Sequence, residues 1–209
     1  MTDWLAWHED YADPSSALSK RLGVVQEQVR RWLDGTAPAE VNVTSLCAGD
    51  GRDLLDVLAT RPDAARVSAL LVERDPDLAS RAEAAALRAG LADVVVRCTD
   101  AGTTDAYAGH APADLVLLCG VLGNVSDADA HGTVDALPAL CAAGATVIWT
   151  RHRREPDLTP ALRRRFAAAG FAEESFTSPQ DGRWSVGVHR LTRAPEPLRP
   201  SQRLFEFVR

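Results

Sequence analysis

The chain has 209 residues, 46% of them hydrophobic and 25% charged, with a formal net charge of −6. This length suits one domain with a sizeable core, and the acidic balance argues against a surface that tracks nucleic-acid phosphates, which is normally basic. No apolar run reaches the length of a bilayer span, and the opening Met1-Thr2-Asp3-Trp4 lacks the apolar stretch of a secretory signal.

Residues 1–40 read as a helical arm or lid. Trp4, Trp7, His8 and Tyr11 lead into Ser15 and Ser16, either of which can cap a helix. Leu18, Leu22, Val25, Val29, Trp32 and Leu33 then fall on one helical face, and Gly35 with Pro38 marks its end. From Val41 onward, short β-branched runs alternate with Ala-, Leu- and Arg-rich stretches. Strands are expected at about 41–47, 67–73, 94–98, 114–119 and 145–150. Helices are expected between them at 52–60, 76–89 and 127–142, with a short one near 104–108. Asp75 before Pro76 is a marked helix start, and Pro138 should end the 127–142 helix early. A further helix starts near Pro160, with Thr159 as its cap, and stops at Gly170. The runs 171–177 and 184–191 flank Ser178-Pro179-Gln180-Asp181-Gly182-Arg183 and read as an antiparallel hairpin.

Such alternation implies a parallel sheet with helices on both faces. The fold class is therefore α/β: a Rossmann-like, doubly wound, seven-stranded sheet. Five parallel strands are closed by a C-terminal antiparallel hairpin, and an N-terminal helical extension precedes them. Residues 41–193 make up the domain, and 194–209 a tail packed on it, in which Leu204-Phe205-Glu206-Phe207 could dock as an edge strand. The four cysteines, Cys47, Cys98, Cys119 and Cys141, form no CxxC pair, so no metal site is expected, and reduced thiols suit a cytoplasmic protein.

The chemistry-bearing residues sit where strands end. The first strand leads into Cys47-Ala48-Gly49-Asp50-Gly51, a small-residue turn that lets backbone approach a ligand closely. The helix behind it favours an anionic group; taken alone, a tight strand-to-helix connection explains the turn as well. Glu73 ends the second strand, 22 residues beyond Gly51 (73 − 51), the spacing of an acid that accepts from a ribose diol. Its neighbour Arg74 is counted with it. Asp100-Ala101 follows the third strand, where an Asp can accept from an adenine amine or close an Asx-turn. Cys119 and Gly120 stand at the lip of the fourth strand, bordering the ligand crevice of an open parallel sheet.

Over residues 41–191 these features resemble the class I S-adenosylmethionine-dependent methyltransferases. The resemblance includes the terminal hairpin, which NAD-binding Rossmann domains lack. The family's motif, acidic–apolar–Gly–x–Gly–x–Gly, is occupied by Ser45-Leu46-Cys47-Ala48-Gly49-Asp50-Gly51. Ser45 replaces the usual acid and Cys47 the first glycine, while the last two glycines match. The resemblance implies an enzyme that binds S-adenosylmethionine and releases S-adenosylhomocysteine. It assigns Glu73 to the ribose, Asp100 to the adenine, and backbone at Cys119 and Gly120 to the methionine part. An NAD fingerprint needs a third glycine where Leu54 stands, which disfavours NAD.

The stretch Cys119-Gly120-Val121-Leu122-Gly123-Asn124 carries neither the Asn/Asp-Pro-Pro-aromatic motif of amino-methylating enzymes nor a Pro-Cys nucleophile. With the acidic charge, this favours methyl transfer to oxygen or nitrogen of a small-molecule acceptor. Neither nucleic acid nor membrane is expected as a partner. Holding acceptor and methyl in line supplies much of the rate, so few catalytic groups are expected. His152, after the fifth strand, is the candidate base. The basic run Arg151-His152-Arg153-Arg154 can also greet an anionic acceptor or stay solvated. Tyr11 is a candidate for the acceptor side, Arg21 for the methionine carboxylate, and Asn124 for the acceptor or the next helix cap. Rival readings are an NAD-dependent oxidoreductase, a non-catalytic S-adenosylmethionine-binding protein, and an RNA-modifying enzyme with a basic partner.

Overall fold

The structure, a computed structural model, describes residues 11, 13–37, 39–180 and 182–208. Trp4, Trp7 and His8 of the expected arm, Pro38 at its expected stop and Asp181 of the hairpin loop lie outside the described residues. Helix α1 spans Ala17–Gly35, and Ser16 caps it by accepting the Ser19 N–H at 3.0 Å. Its periodic face buries Val25, Val29 and Leu33.

Strands β1 (Val41–Leu46), β2 (Val67–Glu73), β3 (Val94–Cys98), β4 (Ala113–Leu118) and β5 (Cys141–His152) pair in parallel; β6 (Phe171–Thr177) and β7 (Trp184–Leu191) form the antiparallel hairpin. The sheet order is β3-β2-β1-β4-β5-β7-β6, with β7 antiparallel to β5. This is the doubly wound architecture expected from the sequence. The order reverses between β1 and β4, and the crevice outside the carboxyl ends of those strands is where such sheets take ligands.

Helices α2 (Arg52–Leu58) and α3 (Pro76–Arg88) join α1 on one face of the sheet. Val25, Leu33, Leu54, Leu58 and Ala82 pack there on Val43, Leu115, Ile148 and Val186. Helices α4 (Asp127–Ala136) and α5 (Thr159–Ala168) cover the other face, where Val134, Phe166, Leu204 and Phe205 pack on Leu46, Val116 and Trp149. Among the described residues no helix is long and apolar enough to cross a membrane.

The structure refines the sequence-based elements in several places. Strand β1 stops at Leu46, because Cys47 takes a left-handed φ of 52°. Helix α4 ends early, at Ala136, as Pro138 leads one to expect, and a single 3₁₀ turn over Leu137–Ala139 follows where Pro138 cannot donate. Strand β5 runs Cys141–His152, longer than expected at both ends, so His152 is its last residue rather than one beyond it. Thr159 is the first residue of α5 rather than its cap; Asp157 serves it instead, accepting the Thr159 N–H at 2.9 Å and its hydroxyl at 2.8 Å.

The tail is not an edge strand. The sheet edges are β3 and β6, and the tail makes only isolated bridges with loops, Thr103↔Arg203 and Val125↔Phe207. Leu204 N–H donates to Gly102 O at 2.8 Å, and Val208 N–H to Asn124 O at 3.0 Å. A side chain at Gly102 would collide with the Phe205 carbonyl, so glycine is what admits the tail there.

Candidate active site

The turn after β1 is shaped by three consecutive devices. Cys47 and Gly49 both take left-handed backbone, and Gly51 does so at φ 78° as the residue capping α2. The Ala48 N–H returns to Val72 O at 2.9 Å. The Gly49 N–H donates to Glu73 Oε2 at 2.8 Å, while Glu73 Oε1 accepts the N–H groups of Arg74 and Asp75, each at 2.8 Å. Glu73 is buried, yet three backbone donors satisfy its charge, which is the condition for burying a carboxylate. The Gly49 N–H, free in a bare glycine turn, is thereby spent on Glu73.

Asp100 follows β3. Partial burial works against its charge, but the Gly102 N–H at 2.8 Å and the Arg203 guanidinium at 2.7 Å hold its carboxyl below the usual range. Ala101 is buried beside it, and its carbonyl accepts the Tyr107 hydroxyl at 2.6 Å. Burial first, then the charges of Glu73 and Asp100, push the Cys47 thiol well up. Cys47 thus lies within electrostatic reach of both Glu73 and Asp100, the three coming from the ends of three neighbouring strands.

At the lip of β4, the Gly120 N–H donates to Thr150 Oγ1 at 2.9 Å, and none of the described residues stands within 4 Å of where a Gly120 side chain would be. Burial and the charge of Asp53 keep Cys119 a thiol. Neither Cys47 nor Cys119 is therefore a thiolate nucleophile at neutral pH.

Tyr11 and Arg21 are brought to this lip by α1 and the residue run before it. Burial, reinforced by the Asp53 charge, pushes the Tyr11 phenol up to about 12, while its hydrogen bond with Arg21 opposes the rise. The phenol keeps its proton at neutral pH, so Tyr11 can orient a ligand but cannot serve as a base there. The Arg52 guanidinium lies 4.4 Å from the centre of the Tyr11 ring and forms an ion pair with Asp50, Nε to Oδ1 at 2.7 Å. Gln26 Nε2 donates to Arg52 O at 2.9 Å, tying α1 to the turn.

Asp53 escaped the sequence reading. An acid in the first turn of a helix is ordinary as a dipole partner, so nothing local distinguished it. Here burial raises its carboxyl above the usual range, against the opposing pull of the Arg21 charge.

The acceptor side is drawn by β5 and the loop after β4. The His152 ring packs on that loop, its Cδ2 3.0 Å from where a Gly123 side chain would begin. His152 Nδ1 accepts the Arg154 N–H at 3.3 Å. A neutral ring bonded in this way carries its hydrogen on Nε2. Arg154 is exposed, whereas Arg151 and Arg153 are tied into the fold. Arg151 is buried, binds the Leu122 carbonyl and meets Asp127 at 3.3 Å. Arg153 pairs with Asp157 at 2.9 Å. Asn124 Nδ2 donates to Gly120 O at 2.6 Å, and Ser126, not Asn124, caps α4. Arg74 is exposed, and its charge helps keep Asp100 ionised.

No protein-family model matches the sequence, and no curated protein matches it. Solved structures match it by shape, most of them class I methyltransferases. Magnesium protoporphyrin IX methyltransferase (ChlM) from Synechocystis PCC 6803, solved with bound SAM, is similar at a TM-score of 0.66 and 15% identity, covering 91% of each chain. An O-methyltransferase family protein from Burkholderia thailandensis is similar at 0.61 and 16%, over 89% of this chain and 62% of that one. The [4+2]-cyclase SpnF is similar at 0.64 and 12%, over 86% and 85%. The chain has the class I methyltransferase fold. A cyclase among these likenesses is a reminder that the fold alone does not choose the reaction.

Proposed function

We propose that this protein is an S-adenosylmethionine-dependent methyltransferase acting on oxygen or nitrogen of a small acceptor in the cytoplasm. The observation that carries the reading is the convergence of Cys47, Glu73 and Asp100 at the ends of three adjacent strands, in the fold that methyltransferases share. The residues fit the cofactor. Glu73 offers a buried carboxylate to a ribose diol, and Asp100 a partly exposed one to an adenine edge. Among the described residues, none fills the space beside Gly120. Bound S-adenosylmethionine supplies a methyl group already activated as a sulfonium. The chain's part is then to orient: Arg21 and Tyr11 at one side of the crevice, and the His152 Nε2 donor toward the acceptor.

NAD is disfavoured by packing as well as by motif. Leu54, where an NAD fingerprint needs glycine, is buried in the α2–sheet contact. Calorimetry with S-adenosylmethionine, S-adenosylhomocysteine and NAD tests the reading; binding of NAD alone would overturn it. A second reading, cofactor binding without methyl transfer, is favoured by one observation: the Tyr11 phenol keeps its proton at neutral pH and cannot serve as a base. Incubating metabolite extracts with methyl-labelled cofactor separates the two, since only an enzyme transfers label.

A further inference from the structure

Residues 201–204 of the tail run alongside the loop after β3, the loop that carries Asp100. The Leu204 N–H donates to Gly102 O at 2.8 Å and the Thr104 N–H to Gln202 O at 3.0 Å, while the Gln202 N–H donates to Thr104 Oγ1 at 3.0 Å. Asp105 accepts the Ser201 N–H at 2.8 Å and its hydroxyl at 3.1 Å. Leu204 and Phe205 are buried, and the Leu204 carbonyl accepts the Thr133 hydroxyl at 3.1 Å. The backbone of Arg203 is therefore fixed on both sides and lies against this loop.

The Arg203 side chain reaches Asp100. Asp100 Oδ1 accepts the Gly102 N–H at 2.8 Å, and Oδ2 accepts from Arg203 Nη1 at 2.7 Å. A carboxylate bonded through one oxygen can still turn about its Cβ–Cγ bond; bonded through both, its plane is set. Each oxygen keeps a further lone pair, so the group can still accept from a ligand. The side chains of the pair are 47% and 41% exposed, and ion pairs so open to water add little to stability. What this one does is aim an acceptor that the loop alone would hold by a single bond.

We infer that Arg203 is a positioning residue of the nucleoside site, setting the Asp100 carboxylate from the tail so that it accepts the exocyclic amine of adenine; this rests on the cofactor reading above. Base selection thereby depends on a docked segment that belongs neither to the sheet nor to its crossover helices.

Calorimetric titration of the full chain, Arg203→Leu and Arg203→Ala uses two ligands. One is S-adenosylhomocysteine; the other is its analogue with purine in place of adenine, which lacks only the exocyclic amine. The unsubstituted protein should prefer S-adenosylhomocysteine by about tenfold or more, the scale of one charge-assisted hydrogen bond. In the variants that preference should fall to about threefold or less, with binding of the purine analogue changed less than about twofold. Equal weakening of both ligands would make Arg203 merely structural and overturn the inference. So would an undiminished preference in a variant, or equal binding of the two ligands by the unsubstituted protein. Binding of neither ligand by the unsubstituted protein overturns the cofactor reading itself. Ligand-free melting curves establish that each variant is folded, and either variant alone decides the outcome.

Discussion

Glu73 Oε2 accepts the backbone N–H of Gly49 at 2.8 Å, so the acid that ends β2 also fixes the turn that ends β1. With Arg74 and Asp75 on the other oxygen, this one carboxylate organises both strand ends before any ligand arrives. Glu73→Ala should therefore do two things. Ligand-free stability should fall by about 3 kcal/mol or more, since three backbone donors lose a charged acceptor at a buried position. Affinity for S-adenosylmethionine should fall by about 1.5–3 kcal/mol in protein that remains folded. Urea melts read the first effect and calorimetry the second. A folded variant with unchanged affinity would remove Glu73 from the binding site.

Gly51 sits at φ 78°, where an L side chain is strained, and a Cβ there would stand 2.6 Å from Leu55 Cδ1 and 2.7 Å from Leu71 Cδ2. Both leucines are buried. Gly51→Ala should destabilise the fold by about 2–4 kcal/mol, combining a left-handed backbone penalty with overpacking. A thermal melt within a degree of the unsubstituted protein would contradict this account of the turn.

Much of this was legible in the sequence because the sheet is built from local signals. β-Branched runs, an Asp-Pro helix start and a loop-joined pair of strands are each read within about ten residues. Glu73 at the end of β2 followed from spacing, since the first strand–helix–strand unit has a nearly fixed length. What escaped was set by long-range packing. Asp53 looked like a helix-start acid until Arg21 and Tyr11, more than thirty residues upstream, arrived beside it. The tail's apolar alternation fits an edge strand or a strap over loops equally well, and only the position of Gly102 and Asn124 decides between them. The basic run at the end of β5 read as facing an anionic acceptor or solvent because no local pattern reveals that Arg151 lies beneath the loop after β4.

The thiols should react unevenly. Burial, with acids nearby, keeps Cys47 and Cys119 protonated, and burial alone pushes Cys141 up to about 12. Cys98 is exposed. Iodoacetamide near pH 8 should therefore modify Cys98 first, with the other three lagging by an order of magnitude or more. Peptide mapping by mass spectrometry follows each site. Equally fast labelling of Cys47 would mean that its burial is not maintained in solution.

The tail should carry stability. Phe205 is almost wholly buried in the face formed by α4 and α5, and Leu204 is nearly so. Phe205→Ala should cost about 3–5 kcal/mol. In a chemical-denaturation series, a loss below about 1 kcal/mol would show that the tail does not dock as described.

The remaining prediction concerns acid. His189, in β7, is buried against Trp149 and Phe166, and the Trp149 Nε1–H donates to its Nδ1 at 3.0 Å. Its Nε2 makes no hydrogen bond among the described residues; the Glu173 carboxylate is 3.5 Å away. Burial lowers its pKa to about 4; the Glu173 charge opposes that shift without reversing it. An unfolded His titrates near 6.5. Below that pH the unfolded chain binds a proton that the folded chain refuses, so protonation favours unfolding. The contribution is therefore complete above about pH 6.5 and declines as pH falls toward about 4, by roughly 3 kcal/mol in all. His189→Asn retains an acceptor for the Trp149 N–H and has no proton to gain. Subtracting its stability curve from that of the unsubstituted protein isolates this limb from every other acid-titrating group. The difference should be level above pH 6.5 and slope downward with falling pH below it. A flat difference from pH 7 to pH 4 would mean that His189 is as accessible to protons in the folded protein as in the unfolded chain.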